Sequence, residues 1–412
     1  MIDRRSLLKS TLVSMGAATV PTFLSRSAVA AAEDQKPRET ILVVVQLIGG
    51  NDGLNTVVPH AMEGYEKHRK VLRLPKSALL NVNKEVGLHP SMGGMAKLLE
   101  AGRLAIVQGV GYPNPDRSHF RSMEIWESAR VESGALETGW LGRALDAHPT
   151  KPGADAMGVH IGKQALPLAF RSKRSDVPSL EGLEQYRLQL AGGTSEKDAA
   201  RASLDGMARV DRRDDALLGF LRRSTLAAYE SSKRLEAIAQ PAAGASKYPN
   251  YGLARRLELI GQLIKSGFGT RIYYTALDGF DTHANQLGTH SALLTELSAS
   301  LGAFQGDLSA AGQADRVAVV AFSEFGRRVA ENASGGTDHG AAAPLFVVGP
   351  VAAPGLVGIH PGLDKLDDGD LIHHTDFRRV YASLLQEWLG VEAAPIVGPG
   401  FAPMGLMRAG RA

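Results

Sequence analysis

The chain has 412 residues, 44% hydrophobic composition and no cysteine, so it carries enough apolar material for a sizeable core and nothing for disulfides or thiolate metal ligands. Its formal net charge of +3 resides in the first 30 residues, where Arg4, Arg5, Lys9 and Arg26 face only Asp3, which leaves the rest neutral. A neutral body without a Lys/Arg block excludes the electrostatic footprint of a nucleic-acid binder or of a protein held on an anionic membrane.

The first segment is an address rather than part of the fold. Arg4-Arg5-Ser6-Leu7-Leu8-Lys9, an apolar stretch from Thr11 to Leu24 and the small-residue site Ala28-Val29-Ala30 follow the order of a signal peptide over residues 1–30. The arginine pair resembles the twin-arginine export signal, which implies export of an already folded protein whose mature form begins near Ala31.

The body, from about 38 to 412, alternates β-branched runs with helical spacings. This is the pattern of an α/β fold with a mostly parallel central sheet and helices on both faces. Ile41 to Ile48 and Leu104 to Val110 read as central strands closed by glycines, and between them Ser91 caps a helix reaching Ala101. His119 to Arg130 is helical. Residues 172–248 shift to charged, Ala-rich sequence, including Arg212-Arg213-Asp214-Asp215, and predict a helical insertion with solvated charge runs, placed to shape access to the site. Ile272 to Leu277 and Val317 to Phe322 are further strands. From Asn285 to Ala311, Leu287, Leu294, Leu297, Leu301, Phe304 and Leu308 recur at three- and four-residue steps, the stripe a helix buries against a sheet. Pro344, Pro350 and Pro354 interrupt the uncharged stretch from Gly340 to His360, which predicts a strand at Leu345 to Val348 and a turn instead of a membrane span. Thr375-Asp376 caps a last helix, Phe377 to Leu389.

Three strands end in chemistry: Asn51-Asp52 after the first, Asp281-Thr282-His283 after Ile272 to Leu277, and Ser323-Glu324 after Val317 to Phe322. An open α/β sheet gathers its site along the carboxyl edge, where oxygen ligands and imidazoles at successive strand ends can hold a cation. Singly, each segment has a plainer reading: Asn51-Asp52-Gly53 as a turn, Asp281 to His283 and Ser118 as helix caps, Asp338-His339 as loop closure. Their joint placement at sheet ends favours ligands. Arg117, Arg121 and Arg327 stand beside these segments, where a guanidinium is either solvated or grips a tetrahedral anion. His60, His68, His89 and His148 have no partner pattern, and His373-His374 precede the cap at Asp376.

Five segments in order resemble the signatures of an exported bacterial family, domain of unknown function 1501, grouped with the alkaline phosphatase-like superfamily. They are Gly49-Gly50-Asn51-Asp52-Gly53-Leu54-Asn55-Thr56, Arg117-Ser118-His119-Phe120, Gly279-Phe280-Asp281-Thr282-His283, Ser323-Glu324-Phe325-Gly326-Arg327 and Gly336-Thr337-Asp338-His339-Gly340, and the resemblance runs from about Ile41 to Leu389. It implies the alkaline phosphatase-like fold and attack on a phosphoryl or sulfuryl ester by a hydroxyl, with one or two divalent ions, Zn, Mg, Mn and Ca all left open. By the same resemblance Ser118 takes the nucleophile's place at a helix amino terminus, with Arg117 and Arg327 on the ester oxygens. Asp52 and Glu324 fall to the nucleophile-side ion, and Asp281, His283 and His339 to the second. The chain departs from the pattern at Phe325, where many relatives carry a ligating histidine, which leaves that side one ligand short, weakly binding, or completed by His119 or Asp338.

The motif Cys/Ser-x-Pro-x-Arg of formylglycine sulfatases is not met, because neither Cys nor Ser stands two residues before Pro115 in Pro113-Asn114-Pro115-Asp116-Arg117. The expectation is an exported, periplasmic or secreted, metal-dependent hydrolase of phosphoric, less readily sulfuric, esters. Its partners are a small-molecule or polymer ester and the twin-arginine export machinery, with no nucleic acid and no stable membrane insertion. The competing reading is a binding or assembly protein that keeps the fold without the reaction.

Overall fold

The computed structural model describes residues 39–132, 136–147, 156–175, 177–181 and 248–408. The expected signal segment and residues 182–247 of the expected insertion lie outside them. Ile41–Leu47 (β1) is buried throughout. Its side chains alternate, with Ile41, Val43, Val45 and Leu47 in one apolar layer and Leu42 and Val44 in the other, so an unbroken apolar run is what a strand covered on both faces requires.

The sheet continues through Leu104–Gly111 (β2), Gly158–Ile161 (β3), Ser179–Leu180 (β4), Ile272–Leu277 (β5), Val317–Ser323 (β6), Ala343–Val348 (β7) and Gly355–Val357 (β8). The strand order is β8-β2-β7-β6-β1-β5-β3-β4, with Thr375–Asp376 pairing β2 off this path. Every pairing is parallel except those of β7, which runs antiparallel to both β2 and β6. The covering helices are Gly93–Glu100 (α1), His119–Ser128 (α2), Trp140–Ala147 (α3), Gly252–Lys265 (α4), Gln286–Ala310 (α5) and Phe377–Ala382 (α6). Buried residues of α1, α4 and α5 fall in the apolar layer that holds Val43, and those of α2, α3 and α6 in the layer that holds Val44. The mostly parallel sheet with helices on both faces is therefore the observed architecture.

Local differences from the sequence reading have local causes. Met92, not Ser91, precedes α1, because the Ser91 hydroxyl pairs with that of Ser291 at 2.8 Å. In α5, Leu294, Leu297, Leu301, Phe304 and Leu308 are buried, whereas Leu287 is exposed and His290 takes the buried place in that turn. Within the segment expected to be a helical insertion, Ser179–Leu180 is a strand on β3; Pro178 biases Val177 to extended backbone and so opposes a helix there. Asp376 caps α6 by accepting from the Arg378 backbone N–H. No helix among the described residues is long and apolar enough to cross a membrane.

This topology decides where chemistry can gather. β5, β1 and β6 are adjacent and parallel, so their carboxyl ends emerge side by side. β2 ends at the same edge, and the reversed β7 begins there, so the connection 324–342 starts and finishes on it.

Candidate metal centre

Closing this edge takes glycine. Gly49 and Gly50 follow β1 with φ of +118° and +78°. A Cβ added at Gly49 would fall 2.3 Å from the Asp281 nitrogen, and one at Gly50 2.4 Å from Phe325 Cε2. Side chains at these positions would hold the three strand ends apart.

Asp281 sits at the centre of what converges. Its Oδ1 lies 3.0 Å from His283 Nε2, 3.0 Å from His339 Nε2 and 3.5 Å from His119 Nε2. His119, Asp281 and His339 each offer one atom within 4.8 Å of the others, and His283 joins them with its Nε2 2.9 Å from that of His339. The other nitrogen of every ring meets an acceptor. His119 Nδ1 is 2.8 Å from Glu324 Oε1, His283 Nδ1 3.1 Å from Asp338 Oδ1, and His339 Nδ1 2.9 Å from the Arg117 carbonyl.

Those acceptors assign the ring proton to Nδ1 and leave three Nε2 lone pairs facing one carboxylate oxygen. Acceptors brought this close need a proton or a cation among them. His119 Nε2 is also buried without a hydrogen-bond partner. Imidazoles tied back through Nδ1 to a carboxylate or carbonyl are how proteins orient histidine ligands, so the residues fit a cation. Three imidazoles and one carboxylate suit zinc or another first-row transition ion better than magnesium or calcium, which take oxygen ligands.

Electrostatics favour the ligand form of Asp281, whereas His119 is biased toward its protonated form, so a cation there would displace a proton. Burial works against ionised Asp281, but the Arg327 guanidinium, together with His339 and His283, outweighs it and holds the carboxyl down at about 2. The hydrogen bond to Glu324 raises His119 above its ordinary value.

Several expected residues stand around this cluster rather than in it. Glu324 is fully buried and accepts from both the Gly49 N–H and His119, and Asp338 accepts from His283 and Asn332, so both orient ligands. Arg327, expected on the ester oxygens, is buried and donates to the carbonyls of Gly49, Gly50, Phe280 and Thr337 and to Asp281 Oδ1 at 2.7 Å. It ties three loops together and aims Asp281. Arg117 directs its guanidinium to Asp368 and Asp370, and Arg121 to Glu124 and the carbonyls of Val131 and Glu132. Ser118 is exposed between Arg117 and His119, and its hydroxyl does not cap α2.

The structure does not bring Asp52 into the cluster. Both its oxygens are held by Arg69, whose side chain is fully buried, and by Gln286. Burial alone would raise the Asp52 carboxyl, yet the charge and hydrogen bonds of Arg69, together with His290 and Gln286, outweigh it and the net shift is downward. Phe325 fills the space beside the imidazoles, its ring centroid 4.8 Å from that of His119 and 4.9 Å from that of His339. Arg69, Gln286 and Asn332 escaped the sequence reading, since each lies in a segment with no ligand-like spacing.

A family model described as "Protein of unknown function (DUF1501)" matches residues 39–378. No curated protein matches the chain. Among solved structures, the PsFucS1 sulfatase from Pseudoalteromonas sp. is similar with a TM-score of 0.41 and 11% identity, over 95% of this chain and 76% of its own. A protein in the alkaline phosphatase superfamily from Vibrio parahaemolyticus gives a TM-score of 0.39 and 10% identity, over 91% and 78%. The C-terminal periplasmic domain of EcEptC from Escherichia coli, in complex with Zn, gives 0.38 and 10%, over 89% and 84%. Likeness at this level does not speak to chemistry, which comes from the residues themselves.

Proposed function

The chain belongs to this family of unknown function, and we propose for it the role of an exported, metal-dependent hydrolase of phosphoric, less readily sulfuric, esters. The observation that carries the reading is the convergence of the His119, His283 and His339 Nε2 atoms on Asp281 Oδ1, with each Nδ1 tied back to an acceptor. A transition ion held by these side chains supplies Lewis acidity to an ester oxygen and to the attacking hydroxyl. The side chains of Asp281 and His283 are 47% and 45% exposed, so the cluster opens to solvent on one side, as a catalytic centre needs and a closed structural one does not.

Ser118 is the proposed nucleophile. Its oxygen would bond to phosphorus as the ester oxygen–phosphorus bond breaks, the hydroxyl's proton leaving on the departing alcohol; water would then bond to phosphorus, releasing the acid and returning one of its protons to the serine oxygen. The amino terminus of α2 favours the anionic ester there. Arg327 keeps Asp281 ionised and aimed, while Glu324, Asp338 and the Arg117 carbonyl hold ring tautomer and orientation. The substrate is a small-molecule or polymer ester reached from the solvent side. Delivery through the twin-arginine machinery to the periplasm or beyond is proposed from residues 1–30.

The test is metal analysis of protein exported by its native route, with turnover of p-nitrophenyl phosphate, bis(p-nitrophenyl) phosphate and p-nitrophenyl sulfate by wild type, S118A and H283A. We expect about one bound transition ion, S118A that keeps metal and loses turnover, and H283A that loses both. A wild type that holds no divalent metal and turns over none of the esters overturns the reading.

A second reading, a binding or assembly protein without the reaction, is favoured by one observation. Arg69 neutralises Asp52 and Phe325 offers no ligand, so the nucleophile-side ion has little to hold it. Retained metal with no turnover in any variant selects that reading.

A further inference from the structure

Leu366–Asp367 and Asp370–Leu371 form a small antiparallel hairpin. Its two turn residues, Asp368 and Gly369, have φ of +50° and +84°, the left-handed pair a two-residue hairpin turn demands. The base is anchored, with Asp370 and Leu371 buried, while the Asp368 side chain at the tip is 74% exposed. Two arginines close on that tip. Arg117 Nη1 donates to Asp368 Oδ2 at 3.0 Å, and Arg328 Nη2 reaches the same oxygen at 3.4 Å.

Both arginines are part of the frame of the metal cluster. The Arg117 carbonyl accepts from His339 Nδ1, and the Arg328 backbone N–H donates to the carbonyl of Asp338, whose side chain orients His283. Arg117 is also held from the buried side, its Nε 2.8 Å and its Nη2 2.7 Å from Asp370 Oδ2. That guanidinium stays aimed whether or not the tip carboxylate is in place.

We propose that Arg117 Nη1 and Arg328 Nη2 form an anion subsite at the mouth of the metal centre, and that Asp368 is its resident carboxylate, displaced when an oxyanion of the phosphoryl or sulfuryl class arrives. The subsite deepens the hydrolase reading, on which it rests for the class of ligand. Exposed ion pairs contribute little and are screened by salt, so the tip carboxylate is a weak competitor. A tetrahedral oxyanion presents separate oxygens to two guanidiniums, a better match than one shared carboxylate oxygen. The Asp368 carbonyl accepts from Arg328 Nη1 at 2.6 Å and the Gly369 carbonyl from the Val329 N–H at 3.3 Å, which pins the turn and confines the displacement to the Asp368 side chain.

The experiment is calorimetric titration of the metal-loaded mature protein with inorganic phosphate and with methylphosphonate, an ester mimic that cannot be hydrolysed, for wild type, D368N and D368N/R328Q. Asparagine tolerates the left-handed turn, so D368N removes the charge and keeps the hairpin. D368N is expected to bind the anion about tenfold more tightly, and R328Q in that background to abolish the gain. A gain for both ligands assigns the subsite to oxyanions in general, and a gain for methylphosphonate alone assigns it to the esterified substrate; either supports the proposal. Unchanged affinity in D368N, or a gain that survives R328Q, overturns it. Binding is read without turnover, so a protein that hydrolyses nothing still answers, and an active one with unchanged affinity loses only the subsite.

Discussion

The Nε2 atoms of His283 and His339 stand 2.9 Å apart, both 3.0 Å from Asp281 Oδ1. Two ring nitrogens whose protons sit on the opposite Nδ1 atoms repel at that separation unless positive charge lies between them. This pair, from two connections some fifty residues apart in sequence, is the sharpest statement the molecule makes about its ligand.

Removing a ligand and removing its support should therefore differ in degree. H283A is expected to bind zinc weakly if at all, whereas D338N, which leaves the imidazole but loosens its Nδ1 hydrogen bond, should weaken binding about 10–100-fold. Competition against a chromophoric chelator measures both. D338N as damaging as H283A would make Asp338 a direct ligand.

Asp52 and Arg69 form a buried, hydrogen-bonded ion pair. R69M strands an uncompensated carboxylate and should lose about 3–5 kcal/mol of stability in urea denaturation, with D52N/R69M recovering part of it. D52N alone should keep the metal. If it strips the ion instead, Asp52 does not stand outside the centre.

Glu127 is buried in α2, and burial pushes its carboxyl up to about 7 from an ordinary 4.5. Between those values the folded chain keeps a proton that the unfolded chain has released, so the stability this group contributes is full below 4.5 and falls as pH rises toward 7. The change amounts to roughly 3 kcal/mol at about 1.4 kcal/mol per unit. E127Q should be no more stable than wild type at pH 5 and more stable at pH 8 in paired denaturation curves. Parallel pH dependence in both proteins would count against it.

G50A should be costly twice over, through its positive φ and through the Cβ that would meet the Phe325 ring. A loss of about 1–3 kcal/mol or more is expected, with weakened zinc binding, since the displaced ring packs on His119 and His339. F325L should recover part of the metal affinity of G50A without recovering the backbone strain. Circular dichroism melts together with chelator competition separate the two effects.

Much of the sheet was legible because its strands are covered on both faces and so read as unbroken apolar runs, as in Ile41–Leu47 and Val317–Ser323. Asp281, His283 and His339 stood out because each borders such a run. Arg69 did not, because what makes it matter is a carboxylate 17 residues away, on the far side of a short helix, a strand and a second helix. The direction of β7 was hidden as well, since an apolar run reads the same in either orientation. Glu324 announced itself as an acid at a strand end, but its task as the acceptor for His119, 205 positions away, exists only in three dimensions. His119 was noticed as a stand-in ligand behind Ser118; only the fold brings its ring to Asp281 and His339 while the serine stays exposed.

Because β7 enters the sheet against the grain, the chain between Ser323 and Ala343 never travels to the far side of the molecule. An ordinary crossover would spend those residues on transit. Here they stay on one rim, so Glu324, Arg327, Asp338 and His339 all reach the centre from a single connection, and its exposed tip at Ala333 and Ser334 is where an engineer could graft a new mouth onto an old frame.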